Sequence, residues 1–310
     1  MRELHRCCQM FSLSFVTAAP SSPAYQLSPS GIHVPVKPVL HREEEYDQAG
    51  FDILREMQLR HFWYQGRHRF LLRALKDRLG SLPQRAGGLR AIDLGGGCGG
   101  WISYLRQRLP HAFAELALSD SSLRALEMAR PVVGDNVGRY QVDLLDLGWR
   151  ERWEAAFLLD VLEHIPADVE ALRQAGAALA PGGVLFVTTP ALRFFWSYND
   201  ELAHHVRRYA KRDFARLAKQ AGLELELTRY FMFFLSPLLW LSRLNERNLN
   251  NLSPEEAQAL AKRTHRVPPF PVNGLLGAIF SCETPLGLKL PFPWGTSILG
   301  VFRKPAARQS

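Results

Sequence analysis

Residues Ala91–Trp101 read AIDLGGGCGGW, a short apolar strand that runs directly into five glycines within six positions. Glycine at such a bend lets the main chain contact a ligand, because no Cβ blocks the approach. The same bend opens a helix, so backbone N–H groups line it. The stretch therefore predicts a site for a nucleoside cofactor at the end of a buried strand.

Strand and helix patterns alternate on both sides of this stretch. Alternation of this kind predicts an α/β fold, with a parallel sheet covered by helices on both faces. The predicted strands are Leu89–Leu94, Glu115–Asp120, Arg139–Leu145, Ala155–Val161, Val184–Thr189, Leu223–Arg229 and Ser297–Arg303. The predicted helices are Gly99–Leu109, Ser122–Arg130, Asp168–Ala180 and Lys211–Ala221.

The regions outside the alternating pattern differ in composition. Residues 1–45 show no sustained period and include a stretch rich in Pro, Ser and Gly, which predicts a disordered extension. Residues 46–88 carry apolar side chains at helical spacing and predict a helical cap before the core of residues 89–229. Residues 230–295 predict a lid or substrate insert, and residues 296–310 hold the closing strand and a tail.

Composition indicates a soluble globular protein, with 47% apolar residues, 22% charged residues and a net charge of +8. The four cysteines have no metal-ligand spacing, so we expect a reducing, cytoplasmic location. The basic residues are dispersed, which argues against a nucleic-acid arm. A basic balance is still compatible with an anionic substrate or with peripheral contact to a membrane.

The glycine run fits two cofactor motifs. Gly95, Gly97 and Gly100 satisfy G-x-G-x-x-G, which is typical of nicotinamide and flavin enzymes. Asp93, Gly95, Gly97 and Gly99 also satisfy D-x-G-x-G-x-G. The loop alone therefore leaves an NAD(P)-dependent oxidoreductase open as an alternative.

Four segments in order, DLGGGCGG, SDSSLRALEMAR, LLDVLEHIP and LAPGG, resemble the class I S-adenosylmethionine-dependent methyltransferases. The resemblance covers residues 91–190 closely. It implies a Rossmann-like sheet of seven mostly parallel strands with an antiparallel last strand, and S-adenosylmethionine as cofactor. A catalytically degenerate member that acts only as a binding module remains a second alternative.

The resemblance also implies roles for individual residues. Asp120 would accept both ribose hydroxyls, Asp143 would accept from the adenine amino group, and the Leu144 amide would face the ring, although Asp146 could replace Asp143 in a shifted register. Asp93 would either orient the cofactor's amino group or brace the loop. The cofactor-binding residues expected in this way are Asp93, Gly95, Gly97, Gly99, Asp120, Ser121, Asp143, Leu144 and Asp160.

Methyl transfer needs alignment above all, with a base only if the acceptor atom carries a proton. Two histidines are candidates for that base, His164 after the fourth predicted strand and His205 in the segment YNDELAHHVRRYAKRDF. Asp200 and His204 have the i, i+4 spacing of a surface hydrogen bond, and we predict no metal site. The residues RRYAKR (207–212) are interpreted as a solvated face.

The acceptor is the least constrained part of the prediction. Where methyltransferases acting on amino groups of bases or glutamine carry Asn/Asp-Pro-Pro-aromatic, this chain has Asp160-Val161-Leu162-Glu163. A small-molecule or lipid-linked acceptor is therefore expected. The insert that begins at Tyr230 is the predicted specificity element, with its apolar run YFMFFLSPLLWLSRL in the core or a pocket wall rather than on a membrane. The oligomeric state is not predicted.

Overall fold

The structure is a computed structural model that describes residues 23–39, 50–243 and 266–306. In these residues one sheet of nine strands has the order β1-β2-β5-β4-β3-β6-β7-β9-β8. The strands are β1 (Tyr25–Leu27), β2 (His33–Pro35), β3 (Arg90–Leu94), β4 (Glu115–Asp120), β5 (Gly138–Gln141), β6 (Trp153–Leu159), β7 (Leu179–Pro190), β8 (Glu224–Phe231) and β9 (Ser297–Arg303).

Helices cover both faces of this sheet. They are α1 (Phe51–Arg60), α2 (Phe62–Lys76), α3 (Gly100–Arg108), α4 (Leu123–Val133), α5 (Asp168–Ala178), α6 (Tyr198–Leu202), α7 (Lys211–Ala221), α8 (Ser236–Arg243) and α9 (Val272–Gly287). Two large apolar clusters, one on each side of the sheet, form the core. This two-sided burial explains why β6 is apolar almost throughout rather than alternating.

The predicted fold class is confirmed. Strands β5, β4, β3, β6 and β7 are parallel, and β9 pairs antiparallel with both β7 and β8. The parallel strands bring their carboxyl ends to one edge, where ligands bind in open α/β sheets. The glycine-rich stretch after β3 lies at this edge.

The seven predicted strands are joined by two more, so the strand count was too low. Strands β1 and β2 pair antiparallel, and β2 extends the sheet beside β5 through His33 and Tyr140. The His33 and Tyr140 rings stack with centroids 4.5 Å apart, and Tyr25 stacks on Trp149 at 6.0 Å. The prediction of disorder is therefore wrong for residues 25–35, whereas residues 1–22 and 40–45 lie outside the described residues.

The helical period of residues 46–88 corresponds to α1 and α2, which cover the carboxyl edge of the sheet next to β3. Helix α9 packs against α2, where a Cβ on Gly66 would lie only 1.9 Å from the Phe280 ring. The absence of a side chain at Gly66 therefore permits this close contact between α2 and α9.

The described part of residues 230–295 does not behave as a lid. Tyr230 and Phe231 continue β8, Met232 and Leu235 are buried, and α8 and α9 follow. Residues 244–265 lie outside the described residues. Among residues 23–39, 50–243 and 266–306, no helix is long and apolar enough to cross a membrane.

Candidate cofactor and acceptor site

A cleft of about 740 Å³ opens at the carboxyl edge of the sheet. Its walls come from the segments that follow β3, β4, β5, β6 and β7, from α1 and α2, and from residues 199–206. This volume lies in the range of small-molecule and cofactor sites. No described residue from 230–295 lines the cleft, so the specificity role of that insert stays a prediction.

The glycine loop exposes main chain to the cleft. Gly95 and Gly97 both line it and have positive φ angles, 73° and 58°. A Cβ on Gly95 would lie 2.9 Å from the Val161 side chain, so only glycine fits this loop. The loop therefore leaves room for a ligand that contacts backbone, as the sequence predicts.

Asp120 ends β4 at the mouth of the cleft. Its Oδ2 accepts a hydrogen bond from the Gly97 N–H at 2.9 Å, and its Oδ1 accepts from the Ser122 N–H at 2.9 Å. An ionised carboxylate has about four acceptor sites, so each oxygen can accept more than one hydrogen bond. Asp120 thus braces the loop and faces the predicted ribose position, together with its neighbour Ser121.

Asp93 and Gly99 do not line the cleft. Asp93 is buried beneath the loop, where its Oδ2 would lie 2.4 Å from a Cβ on Gly96. Gly99 precedes α3 with φ of 80°, and a Cβ there would lie 2.3 Å from Val133 of α4. Both residues lie behind the loop in this structure, and the Oδ1 of Asp93 has no hydrogen-bond partner among the described residues, so the role of Asp93 stays a prediction.

Burial raises the pKa of Asp93 to about 7, with Arg67 lowering it and Asp120 raising it further. Between about pH 4 and pH 7, the Asp93 carboxyl is therefore protonated in the folded state and ionised in the unfolded state, where its pKa is near 3.8. Because the folded state binds more protons, the free energy of unfolding should fall as pH rises from about 4 to about 7.

Asp93→Asn should remove this pH-dependent part, which we expect to be on the order of 3 kcal/mol. Urea unfolding of both proteins between pH 5 and pH 8 measures the difference. Parallel pH profiles for the wild type and the variant would contradict the assignment.

The adenine end of the predicted site follows β5. Asp143 and Leu144 line the cleft, and the Asp143 carboxylate accepts from the Leu145 N–H at 2.8 Å. Asp146 is exposed instead and pairs with Lys37. The placement favours Asp143 over Asp146 as the residue facing an adenine ring.

Two residues of helices α1 and α2 contribute to this site and were not predicted from the sequence. The Gln58 side chain donates to the Gly96 carbonyl at 3.3 Å and accepts from the Gly100 N–H at 3.1 Å. Arg67 of α2 lines the cleft between the Trp63 and Tyr64 rings, each 5.1 Å from its guanidinium carbon. The only signal for Gln58 is a polar residue on the apolar face of a predicted helix.

Asp160, predicted to bind cofactor, is engaged within the protein. It lies at the end of β6 with φ of 57° and forms a buried ion pair with Arg67. Its Oδ2 also accepts from the Thr188 hydroxyl at 3.1 Å. Asp160 does line the cleft, so in this structure its carboxylate fixes the position of Arg67 in the cleft wall.

The two predicted catalytic histidines meet on the far wall of the cleft. The rings of His164 and His205 make an edge-to-face contact with centroids 4.8 Å apart. Burial lowers the pKa of His164 to about 3, and the nearby His205 lowers it too, so this imidazole is neutral at pH 7. Both side chains line the cleft. His164 follows β6, whereas Asp120 and Asp143 lie at the ends of β4 and β5, on the other side of β3 in the sheet.

Two predictions about the neighbouring segment are wrong. Asp200 bonds His205 rather than His204, at 2.8 Å between Oδ1 and Nδ1, because α6 ends at Leu202 and the i, i+4 spacing no longer applies. The stretch from Arg207 is not simply a solvated face. Arg207 pairs with Asp168, Tyr209 is buried, and Arg208, whose side chain is 6% exposed, binds both oxygens of Asp200.

The Asp200 carboxylate therefore holds His205 in place. Burial alone would raise the pKa of Asp200, but hydrogen bonds from His205 and Arg208 lower it to about 2. The acid stays ionised and fixes the Nδ1 side of the ring. This directs the other ring nitrogen away from Asp200.

Comparison with known proteins decides the family. A family model described as a methyltransferase domain matches residues 40–228, which is more than half of the chain. The chain belongs to this methyltransferase family. The four segments that resemble class I methyltransferases lie inside the matched range. The matched residues form part of the α/β fold described above. No curated protein sequence matches the chain significantly.

Three solved structures are similar in fold to this methyltransferase-family chain. Phosphoethanolamine N-methyltransferase 2 of Haemonchus contortus, in complex with S-adenosyl-L-methionine, aligns with a TM-score of 0.53 at 18% identity over 88% of this chain and 62% of its own. The [4+2]-cyclase SpnF aligns with 0.53 at 17% identity over 88% and 98%. The CurJ carbon methyltransferase aligns with 0.53 at 13% identity over 84% and 60%.

These likenesses concern the fold. One of the three neighbours is a cyclase, so the fold alone does not determine the reaction. The reaction has to be argued from the residues of the cleft.

Proposed function

We propose that this protein transfers the methyl group of S-adenosylmethionine to a small-molecule acceptor by direct in-line displacement. The observation that carries the proposal is the Asp120 carboxylate beside the bare backbone of Gly95 and Gly97 at the mouth of the cleft. The family match supports it independently. When bound, the cofactor would supply an activated methyl group on a sulfonium.

The residues present fit such a cofactor. Asp120 would hold the ribose hydroxyls, Asp143 and Leu144 would face the adenine, and the main chain of Gly95 and Gly97 would border the methionine part. None of these positions needs a phosphate-binding helix N-terminus. The nicotinamide alternative rests on the G-x-G-x-x-G match of the glycine run alone.

The acceptor would enter from the opposite end, between α2 and residues 199–206. Its nucleophilic atom would then lie against His164 and His205, which keeps them as the predicted catalytic residues. The cleft is partly enclosed by apolar side chains from α1 and α2, such as Leu54, Met57 and Trp63. These walls suit a compact acceptor or one with a lipid portion rather than a folded macromolecule.

Calorimetric titration of the purified protein tests the proposal directly. S-adenosylmethionine should bind with a Kd in the micromolar range, whereas NAD and NADP should not bind. Incubation with methyl-labelled cofactor and fractionated small-molecule extracts should then move the label into a product. Binding of a pyridine nucleotide without binding of S-adenosylmethionine would refute the proposed function, and cofactor binding without label transfer to any fraction would favour a binding module.

A further inference from the structure

Three side chains with metal-ligating atoms converge at the acceptor end of the cleft. One carboxylate oxygen of Glu163 and one imidazole nitrogen each of His164 and His205 lie within 4.8 Å of one another. The first two residues belong to the turn after β6, and the third follows α6. The topology thus brings a set of one carboxylate and two imidazoles together from separate parts of the chain.

Within residues 23–39, 50–243 and 266–306, no basic side chain forms an ion pair with Glu163. Its side chain is fully buried, and neither carboxylate oxygen has a hydrogen-bond partner among the described residues. The two guanidinium groups that act on it are both engaged, since Arg67 pairs with Asp160 and Arg208 binds Asp200. An ionised carboxylate in this position is strongly unfavourable unless a further cation balances it.

The histidines have the surroundings of metal ligands. His205 contacts the Asp200 carboxylate through Nδ1, which leaves Nε2 for another ligand. This carboxylate–histidine arrangement orients the ring in many metal sites. His164 adds a buried Nδ1 that has no hydrogen-bond partner in the described structure.

We infer that Glu163, His164 and His205 bind one divalent transition-metal ion that holds a hydroxyl oxygen of the acceptor. The inference rests on the proposed function, because the ion would lie where the acceptor atom is expected. Mixed imidazole and carboxylate ligands suit Zn²⁺ or Co²⁺, whereas Mg²⁺ and Ca²⁺ favour oxygen ligands. Binding would draw the ligand atoms to separations of roughly 3.4 Å, as around an ion about 2.1 Å from each.

Methyl transfer to this hydroxyl would need no side chain of the protein as a base. The ion would lower the pKa of the acceptor hydroxyl, whose proton leaves to solvent. An oxygen lone pair forms the new bond to the methyl carbon while the carbon–sulfur bond breaks. The oxygen loses its negative charge and the sulfonium becomes a neutral thioether. The acceptor class assigned in this way is a small molecule with a hydroxyl group.

Metal titration of the untagged, chelator-treated full-length protein tests the site. Zn²⁺ should bind one ion per chain by calorimetry, and Co²⁺ should give the visible absorption of a mixed nitrogen and oxygen site. Glu163→Gln and His205→Gln should each weaken Zn²⁺ binding at least 100-fold. Asp200→Asn, which removes the carboxylate that holds both His205 and Arg208, should weaken it by roughly 10- to 100-fold. His111→Gln, at an exposed histidine outside the cleft, should leave it unchanged.

Titration of S-adenosylmethionine into the same samples separates the two proposals. A wild type that binds the cofactor but neither metal ion would overturn the metal site while leaving the methyltransferase proposal intact. Metal binding that survives both Glu163→Gln and His205→Gln would also overturn it. A wild type that binds the metal but not the cofactor would support the site and refute the proposed function. The Co²⁺ spectrum of the wild type gives a result even if a variant fails to fold.

Discussion

Asp120→Ala is expected to weaken S-adenosylmethionine binding more than 100-fold. The substitution removes the predicted acceptor of the two ribose hydroxyls, and hydrogen bonds to a charged group contribute about 1.5–3 kcal/mol each. It also removes the acceptor for the Gly97 N–H, so the loop loses a brace. Isothermal titration of both proteins measures the change in Kd.

Two control variants make this result specific. Asp120→Asn keeps one acceptor oxygen and should lose less affinity than the alanine variant. Asp146→Ala removes an exposed carboxylate outside the cleft and should bind the cofactor as the wild type does. Unchanged affinity in Asp120→Ala would mean that the nucleoside does not bind at the end of β4.

Arg67→Met is expected to lower the free energy of unfolding by about 3–5 kcal/mol, the usual cost of leaving a buried charge without its partner. The Arg67 and Asp160 side chains are 4% and 17% exposed, so solvent screens the pair poorly. Arg67 also packs between the Trp63 and Tyr64 rings, and methionine keeps part of that packing. Urea unfolding measures the difference.

The double variant Arg67→Met/Asp160→Asn should recover part of the lost stability, because position 160 no longer carries a carboxylate without its partner. Asparagine also tolerates the positive φ of position 160. Arg124→Met, which breaks an exposed pair with Asp52, should change the free energy of unfolding by less than about 1 kcal/mol. An Arg67→Met protein as stable as the wild type would show that the buried ion pair contributes little.

Much of the sheet could be predicted because each central strand is a short apolar run between turn residues. The predicted bounds of Glu115–Asp120, Lys211–Ala221 and Ser297–Arg303 agree with those of β4, α7 and β9. The sheet edge could not be predicted, since β1 and β2 are three residues each. Their stabilising ring contacts, such as Tyr25 on Trp149, join residues more than a hundred positions apart.

Some residues of the candidate site could likewise be predicted from the sequence, and others could not. Gly95, Gly97, Asp120 and Asp143 follow strand ends, so their places could be inferred from strand order alone. The Arg67–Asp160 pair joins residues 93 positions apart, and no local pattern indicates it. The pairing of Asp200 with His205 depends on where α6 ends, and one residue of error there selects the wrong histidine.

Gln58 links the helical cap to the glycine loop. Its one amide group spans the loop, bonding the carbonyl of Gly96 and the N–H that opens α3 at Gly100. Separation of α1 from the sheet would break both bonds at once and leave that segment less ordered. Closure of the cap and affinity for the nucleoside are then reciprocally linked, so each should be strengthened by the other to the same extent.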